Sequence, residues 1–182
     1  MSNEIKWGSS QKGDYLLLRK VHRRLQGGHV ARFHTRPEVG EGQNVGSHTW
    51  RALVVLTTLW EDVSKDAILW LLFHDVAEAE LGDLPATTKW KYTELAQEFS
   101  KAEFKYEKDL ELPVMLQDLT EKDRSLVKMA DMLELVLHCK RQMQMGNTLA
   151  EPIYTRGREY LYRKFSSNPD FRVVHSILLE LK

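Results

Sequence analysis

The sequence predicts an all-α fold, and three observations support this class. Apolar residues recur at the three- and four-residue spacing of helices along most of the chain. No series of alternating apolar and polar segments suggests a sheet. The chain has 182 residues, of which 42% are hydrophobic, enough for one domain with a substantial core. We therefore expect a single domain over residues 1–182 with six or seven helices.

Two helices are expected in the first third of the chain. Residues 14–25 have apolar side chains at helical spacing, and Gly27 and Gly28 end this helix. A loop with three glycines follows over 37–46. The next helix is predicted over 47–63, with Ser47 as its N-cap.

The rest of the chain continues this pattern. A helix over 66–81 is apolar on most of its circumference and should be central. A loop over 82–90 begins at Gly82 and contains Pro85. Thr120 and Asp123 resemble a capping box at the start of a long helix. The remaining helices are predicted over 92–110, 121–145, 155–165 and 170–181.

Composition limits the classes of function. Lys and Arg (26) balance Asp and Glu (26), which excludes a protein-wide basic field for gripping nucleic acid. The single cysteine, Cys139, excludes an intramolecular disulfide and a cysteine metal cluster. The longest apolar run, 67–73, is far shorter than the roughly 18 residues that span a bilayer. The first 14 residues contain no apolar segment typical of secretion signals. We expect a cytoplasmic protein with no membrane partner.

The segment LLFHDVAEAELGDLP (71–85) places titratable residues where apolar ones should continue. Residues three and four apart share a helix face, so His74, Asp75 and Glu78 can point at one small volume. Leu71, Leu72 and Phe73 precede them, which places that volume at the edge of the core. A buried unpaired charge costs several kcal/mol, and a divalent cation would remove this cost. Imidazole and carboxylate ligands suit Zn²⁺, Mn²⁺, Fe²⁺ or Co²⁺.

Two further residues can complete such a site. His48 lies in the first turn of the preceding helix, and Asp131 lies in the apolar stretch LVKMADMLELVL. His48, the adjacent His74 and Asp75, and Asp131 could therefore converge from three helices. Asp131 could instead pair with Lys128 or Arg124.

This pattern resembles the HD-domain metal-dependent phosphohydrolases, which are named for an adjacent His-Asp pair. More closely, it resembles their small 5′-deoxynucleotidase branch and its phage relatives that degrade deoxynucleoside triphosphates such as dATP. The matching pieces are ARFHT (31–35), QNVGSHTW (43–50), HDVAEAELGDLP (74–85) and KMAD (128–131). That branch usually has Glu before its first His, where this chain has Ser47. The resemblance implies an HD-domain helical bundle.

The resemblance also implies roles at the reaction centre. One divalent ion per chain is expected: zinc, cobalt or manganese, with magnesium and nickel as further options. Glu78 would be the general acid/base or position the water, and Asp83 would contact the sugar 3′-hydroxyl. The implied metal ligands are His48, His74, Asp75 and Asp131.

Further residues are implied to hold the substrate. Arg32, Lys89 and Lys128 would bind phosphate oxygens, whose charge in phosphoryl transfer needs cations. Phe33 would stand near the base or sugar. Residues 19–36 hold six Lys or Arg and no acid, a local basic patch that suits a small polyphosphate better than a duplex.

Several residues remain open to two interpretations. Glu134 and His138 continue the face of Asp131 and either line the cleft or pair with each other. His34 either hydrogen-bonds near the substrate or has no role there. The apolar stripe of 171–181 packs on the core or on a partner, since the family tends to form dimers or higher oligomers.

Four functions remain to be distinguished. The sequence favours a triphosphohydrolase that releases deoxynucleoside and triphosphate from a dNTP, with dATP as one candidate substrate. The alternative is a 5′-deoxynucleotidase acting on dNMPs. HD-type hydrolases of cyclic nucleotides or alarmones usually carry ligands for a second metal, and no second HD pair is present. A non-catalytic nucleotide-binding HD module is the most distant alternative.

Overall fold

The computed structural model describes residues 9–33 and 35–181, and these residues contain nine α-helices and no strand. Seven of the helices are nine residues or longer, so the predicted all-α class is confirmed. An isolated β-bridge joins Ala31 to Asn44. The helices are α1 (Ser9–Gly27), α2 (Val45–Leu59), α3 (Lys65–Phe73), α4 (Glu78–Leu81), α5 (Ala86–Lys91), α6 (Thr93–Asp109), α7 (Glu121–Gln144), α8 (Glu151–Phe165) and α9 (Phe171–Glu180), with 3₁₀ turns at Leu116–Asp118 and Thr148–Ala150.

Helix α7 is the centre of the fold and packs against α2, α3, α8 and α9. Its residues Leu126, Met129, Leu133 and Val136 are fully buried and follow the three- and four-residue spacing of one helix face. Burial of each large apolar side chain contributes about 1.5–3 kcal/mol. A Cβ on Gly157 of α8 would lie 2.9 Å from Val136 Cγ2, so glycine permits the close approach of α8 to α7.

The start of α2 differs from the prediction by two residues. Asn44, not Ser47, is the N-cap: its Oδ1 accepts a hydrogen bond from the Ser47 backbone N–H at 2.8 Å. Ser47 Oγ accepts in return from the Asn44 N–H at 3.2 Å, which completes a capping box. The helix ends at Leu59, four residues before the predicted end, and His48 lies buried in its first turns.

The prediction of one helix over 66–81 is wrong, because the chain turns at residues 74–77. Here the backbone makes three-residue hydrogen bonds, from Val76 N–H to Phe73 O at 3.0 Å and from Glu78 N–H to Asp75 O at 3.1 Å. The His74 ring, through Nδ1, bonds to Leu71 O at 2.8 Å and competes with the helical backbone for that carbonyl. The tightened turn keeps nearly helical spacing, which hides the break in the sequence pattern.

Other boundaries also shift. The loop predicted over 82–90 contains α5, and α8 begins at Glu151, four residues earlier than expected, with Pro152 in its first turn. Thr120 caps α7 as predicted, since its Oγ1 accepts from the Asp123 N–H at 3.0 Å.

The C-terminal helix α9 packs on its own chain. Phe171, Val174 and Leu178 are buried in the same hydrophobic cluster as α7 and α8. None of the helices in the described part of the chain is long and apolar enough to cross a membrane.

Candidate metal centre

Four residues that the sequence singled out as metal ligands lie together, and we call them the metal centre. His48 comes from α2, His74 and Asp75 from the turn after α3, and Asp131 from α7. His48 Nε2 lies 3.2 Å from Asp131 Oδ1, and His74 Nε2 lies 3.2 Å from Asp75 Oδ2. The ligand atoms of His48, His74 and Asp75 are all within 4.8 Å of one another. Such separations suit one ion with ligand bonds of about 2.0–2.2 Å.

The two imidazoles are oriented for metal binding. His74 Nδ1 can only donate to its partner, the Leu71 carbonyl, and His48 Nδ1 lies 2.6 Å from Glu134 Oε2. Both Nε2 atoms are buried without a hydrogen-bond partner, since the nearby carboxylate oxygens lie off the direction of a ring N–H. A hydrogen bond at Nδ1 that leaves Nε2 available is typical of metal-bound histidine. The residues present therefore fit a divalent cation.

The electrostatics of the metal centre also fit a cation. Burial lowers the pKa of His74, but Asp75 and Asp131 outweigh it and raise this pKa to about 10. Burial raises the pKa of Asp75, yet His74 and Arg32 hold it well below its usual range. The pKa of Asp131 is likewise well below its usual range, through His48 and His74. Both carboxylates are thus ionised at neutral pH, and a cation can replace the protons that the imidazoles carry.

Arg32 lies against the metal centre. Its Nη1 donates to Asp75 Oδ2 at 2.7 Å, and its Nε is buried without a partner. The Arg32 N–H donates to Gln43 O at 2.9 Å, next to the β-bridge of Ala31, which fixes the backbone here. The guanidinium therefore reaches the same carboxylate as His74.

Glu78 is buried one turn after Asp75, and its Oε2 has no hydrogen-bond partner. Burial and the charges of Asp75 and Asp83 raise the pKa of Glu78 to about 9. Its carboxyl is therefore protonated at neutral pH when no cation is bound, and the charge of Asp75 in the metal centre acts on it. Asp83 itself lines a neighbouring cavity of about 50 Å³.

Phe33 lines the same small cavity as Arg32 and Asp83. Its ring stacks on His138 at a centroid distance of 5.2 Å. Its φ of +54° lies in the left-handed region, which is uncommon for a bulky residue and is often found at functional sites. His34, the next residue, lies outside the described residues.

The two predicted lysines occupy different places. Lys128 Nζ lies 3.9 Å from Asp131 Oδ2 and 4.8 Å from the centre of the Trp70 ring, at the rim of the metal centre. Lys89 lies farther out on α5, 3.9 Å from Glu103, although its charge lowers the pKa of Glu78. The structure thus brings Lys128 to the metal centre and places Lys89 in an adjoining cleft.

Sequence reasoning missed the role of Glu134. Its Oε2 contacts His48 Nδ1, and its Oε1 accepts from Gln43 Nε2 at 2.8 Å, so it holds the histidine in place. His138 does not pair with Glu134; it contacts Glu38 and Arg51. The position of Glu134, three residues after Asp131 and on the same helix face, was the available signal in the sequence. Its partner on α2, His48, is decided by the packing of the helices.

Most of the basic run 19–36 does not face the metal centre. Arg24 donates to Glu111 O at 2.6 Å, Lys20 pairs with the Glu111 side chain, and Arg23 lies over the Tyr106 ring. These cations join α1 to the end of α6. Among the six lysines and arginines of this run, all of which lie in the described part of the chain, two line the cavity beside the metal centre: Arg32 and Arg36.

Residues 40–169 match a protein family described as 5′-deoxynucleotidase YfbR-like. The chain belongs to the YfbR-like family. The matched segment contains all four residues of the metal centre and Glu78, and the resemblance read from the motifs is confirmed.

Several curated relatives of this family are named 5′-deoxynucleotidases. The protein from Cronobacter sakazakii is 27% identical over 150 residues, which cover 71% of this chain and 75% of the relative. The protein from Vibrio atlanticus is 30% identical over 112 residues, or 55% of this chain. That match spans 58% of the Vibrio protein, less than two thirds of its length.

Two solved structures share the fold. PH0347 from Pyrococcus horikoshii superposes with a TM-score of 0.68 at 19% identity, covering 90% of this chain and 97% of that protein. An HD phosphohydrolase of cyanophage S-2L, DatZ, bound to dA and one catalytic Zn²⁺ ion, has a TM-score of 0.58 at 21% identity. The superposition covers 77% of this chain and 83% of the cyanophage protein. The predicted HD-domain helical bundle is confirmed.

Proposed function

We propose that the protein is a metal-dependent phosphohydrolase that cleaves the 5′ phosphate ester of 2′-deoxynucleotides. One observation carries the proposal: two buried imidazoles, each held through Nδ1, place unpartnered Nε2 atoms 3.2 Å from the carboxylates of Asp131 and Asp75. This arrangement fits one divalent cation. Membership of the YfbR-like family supports a deoxynucleotide as the substrate.

The metal centre would hold one ion through His48, His74, Asp75 and Asp131. Nitrogen and oxygen ligands suit Zn²⁺, Co²⁺ or Mn²⁺, with Mg²⁺ and Ni²⁺ as further candidates. The Zn²⁺ ion in the cyanophage phosphohydrolase favours zinc. When bound, the ion would polarise a phosphoryl oxygen and lower the pKa of bound water.

Glu78 is our candidate for proton transfer. The reaction adds water across the P–O5′ bond, so a proton must leave the water and one must reach O5′ as this bond breaks. Glu78 carries a proton near neutral pH, feels the charge of Asp75 and has an oxygen without a hydrogen-bond partner. A carboxyl with a pKa raised toward neutrality or above is suited to general acid catalysis.

Arg32, Lys128, Phe33 and Asp83 are our candidates for substrate contacts. A cation at the metal centre would neutralise Asp75 and free Arg32 to bind a phosphate oxygen. Lys128, at the rim of the metal centre, would bind another phosphate oxygen. Phe33 offers a ring for the base or sugar, and Asp83 offers an acceptor for the 3′-hydroxyl in the same cavity. Lys89 would act beyond the α-phosphate.

Two reactions fit this chemistry, because both break the P–O5′ bond. We favour a dNTP, with dATP as the first candidate, which would release deoxynucleoside and triphosphate. The cyanophage phosphohydrolase, which was solved with dA, supports an adenine nucleotide. A 5′-deoxynucleotidase acting on dNMPs is the second candidate, and the names of the curated relatives support it.

Product analysis tests these reactions. The protein would be incubated with each dNTP and dNMP plus Mn²⁺, Co²⁺ or Zn²⁺, and the products separated by chromatography. Asp75→Ala should abolish turnover, whereas Glu80→Ala, which changes an exposed carboxylate on α4, should retain it. Triphosphate from one dNTP identifies the triphosphohydrolase, and orthophosphate from dNMPs alone identifies the nucleotidase. Absence of turnover with every substrate and metal would overturn the proposal.

We also propose that this single-domain, cytoplasmic enzyme forms a homo-oligomer. Large apolar side chains are exposed on α1 and on the neighbouring α2, among them Leu17 (63% exposed), Leu25 (62%) and Trp50 (67%). Leu25 and Trp50 line an apolar cavity of about 480 Å³ between α1, α2 and α3. Exposed apolar surface of this extent is typical of an interface between subunits. Light scattering should give a dimer or larger species that Leu25→Glu weakens; a monomeric wild-type protein contradicts this proposal.

A further inference from the structure

A cleft of about 830 Å³ lies between α5 and α8, and we call it the basic cleft. Five cations line it, against one carboxylate, Glu159. The aromatic rings of Trp90 and Tyr160 form part of its wall. The five cations are Arg36, Lys89, Lys91, Arg156 and Arg163. The formal charge of +4 in one cleft stands out in a protein whose net charge is zero.

Most of these cations lack an acidic partner. Lys89 is 3.9 Å from Glu103, but within the described part of the chain no carboxylate lies within 4 Å of the other four. Arg156 is placed over the Trp90 ring at 5.7 Å, and Arg36 donates to the Leu149 carbonyl at 3.4 Å. Unpaired like charges repel one another, and a multivalent anion would remove this repulsion.

The basic cleft continues toward the metal centre. Arg36 and Thr87 line both the basic cleft and the small cavity that contains Arg32 and Phe33. Arg32 in turn donates to Asp75 of the metal centre at 2.7 Å. Arg36 and Thr87 therefore connect the basic cleft to the cavity of Arg32, and Arg32 connects that cavity to the metal centre.

We infer that the basic cleft binds the β- and γ-phosphates of a nucleoside triphosphate whose α-phosphate lies at the metal centre. This inference rests on the proposed function and specifies the substrate class as triphosphate rather than monophosphate. A monophosphate ends at the α-phosphate and gains nothing from Lys91, Arg156 or Arg163. A triphosphate extends outward with charge that several flexible cations can share.

The chemistry of the lining favours a short polyphosphate over a nucleic acid duplex. Two of the cations are on α5 and two on α8, so they face one another across a cleft rather than form a stripe along a surface. A duplex needs phosphate contacts spaced along its length, and a protein with a net charge of zero has no long-range attraction for one.

A binding measurement without catalysis tests the cleft directly. Inorganic tripolyphosphate would be titrated into EDTA-treated protein by calorimetry at two salt concentrations. The double variant Arg156→Gln/Arg163→Gln should raise the Kd about tenfold or more and reduce its dependence on salt. Lys164→Gln is the matched control, because it removes an exposed charge from the same helix outside the cleft, and its Kd should stay within about twofold. Circular dichroism would check that each variant folds.

Kinetics then connect the cleft to the reaction. The ratio of kcat/KM for the best dNTP to kcat/KM for its dNMP should fall about tenfold in the double variant and stay constant in Lys164→Gln. An equal effect on both substrates, or wild-type tripolyphosphate binding by the double variant, overturns the inference. Binding of a duplex but not of tripolyphosphate also overturns it.

The two proposals fail in different ways. If no deoxynucleotide is hydrolysed, the proposed function is wrong, while the tripolyphosphate titration still decides whether the cleft binds phosphates. If dNMPs are the only substrates and tripolyphosphate does not bind, the proposed function stands and the cleft inference is wrong.

Discussion

The metal centre and the basic cleft are neighbours that are built in opposite ways. The metal centre is buried to half-buried, and its side chains are held: Glu134 fixes His48, the Leu71 carbonyl fixes His74, and Arg32 fixes Asp75. In the basic cleft Lys91, Arg156 and Arg163 are exposed and have no acidic partner among the described residues.

The difference agrees with the ligand that we propose for each region. A metal ion requires ligand atoms within a few tenths of an ångström of set distances, so the protein must fix the side chains before the ion arrives. Phosphates carry charge on several equivalent oxygens, which long flexible cations can reach in many arrangements. In our proposals, the buried groups hold the ion at which the reaction occurs, and the exposed cations around them select the substrate.

The largest loss of activity, which distinguishes the metal centre from the basic cleft, is expected on substitution of Asp131. Asp131→Asn should lower turnover about a thousandfold or more and remove bound metal, because the ionised oxygen next to His48 and His74 is lost. Metal content by mass spectrometry and steady-state kinetics measure these effects. Lys128→Gln, which removes the other contact of Asp131, should retain the metal. If both variants keep a full metal complement, Asp131 is a partner of Lys128 and not a ligand.

A smaller effect is expected at Glu134, which positions a ligand without reaching the ion. Glu134→Ala should weaken metal affinity about 10–100-fold, since His48 loses the carboxylate that orients its ring. Competition with a chromophoric chelator gives the affinity. Saturating metal should restore part of the turnover, which it cannot do for Asp131→Asn. Unchanged affinity would show that burial alone orients His48.

The metal-free protein should lose stability as pH rises from about 6.5 to 9. Folded His74 has its pKa raised to about 10 and folded Glu78 to about 9, so both keep protons that the unfolded chain has released. The His74 contribution is full below pH 6.5 and is lost as pH rises through 10, and the burial cost of ionising Glu78 acts in the same direction. Thermal denaturation in EDTA should show a falling Tm.

Two comparisons sharpen this pH experiment. Glu78→Gln should flatten the fall in Tm, because one of the two groups no longer titrates. Added metal should reduce the slope, since the ion replaces protons on the imidazoles. A Tm that rises with pH over this range would show that the metal centre is not protonated in the metal-free state.

The smallest functional effect is expected at Cys139, beside the buried acids. Burial, followed by the charges of Glu134 and Glu38, raises the pKa of its thiol to about 12. At pH 8.5 the native protein should therefore react with iodoacetamide at least tenfold more slowly than the unfolded chain. Cys139→Ala should leave turnover within about twofold. Rapid alkylation of the native protein would show that this side of α7 opens.

Local patterns predicted much of the fold because they record which faces are buried. The extent of α7 and its N-cap at Thr120 agree with the sequence interpretation. The central helix, however, is α7 and not the predicted helix over 66–81. The break of the predicted helix 66–81 could not be read, because a tight turn preserves the apolar spacing while it redirects His74 and Asp75. The N-cap of α2 was misplaced from Asn44 to Ser47, since both residue types suit that position.

The sequence alone determined the kind of chemistry available to this protein. The types and order of His48, His74, Asp75 and Asp131 predicted a metal centre, because buried imidazoles and carboxylates need a common partner. The apolar periodicity predicted the all-α class, and the resemblance of the motifs to a known family implied the HD-type fold.

The tertiary structure alone decided which long-range partners each group has. Glu134 faces His48 across 86 positions, Arg32 reaches Asp75, and cations from α5 and α8 meet in one cleft. These contacts join residues far apart in sequence, and no local spacing encodes them. They depend on how the helices pack around α7, which is set by the fit of the whole core.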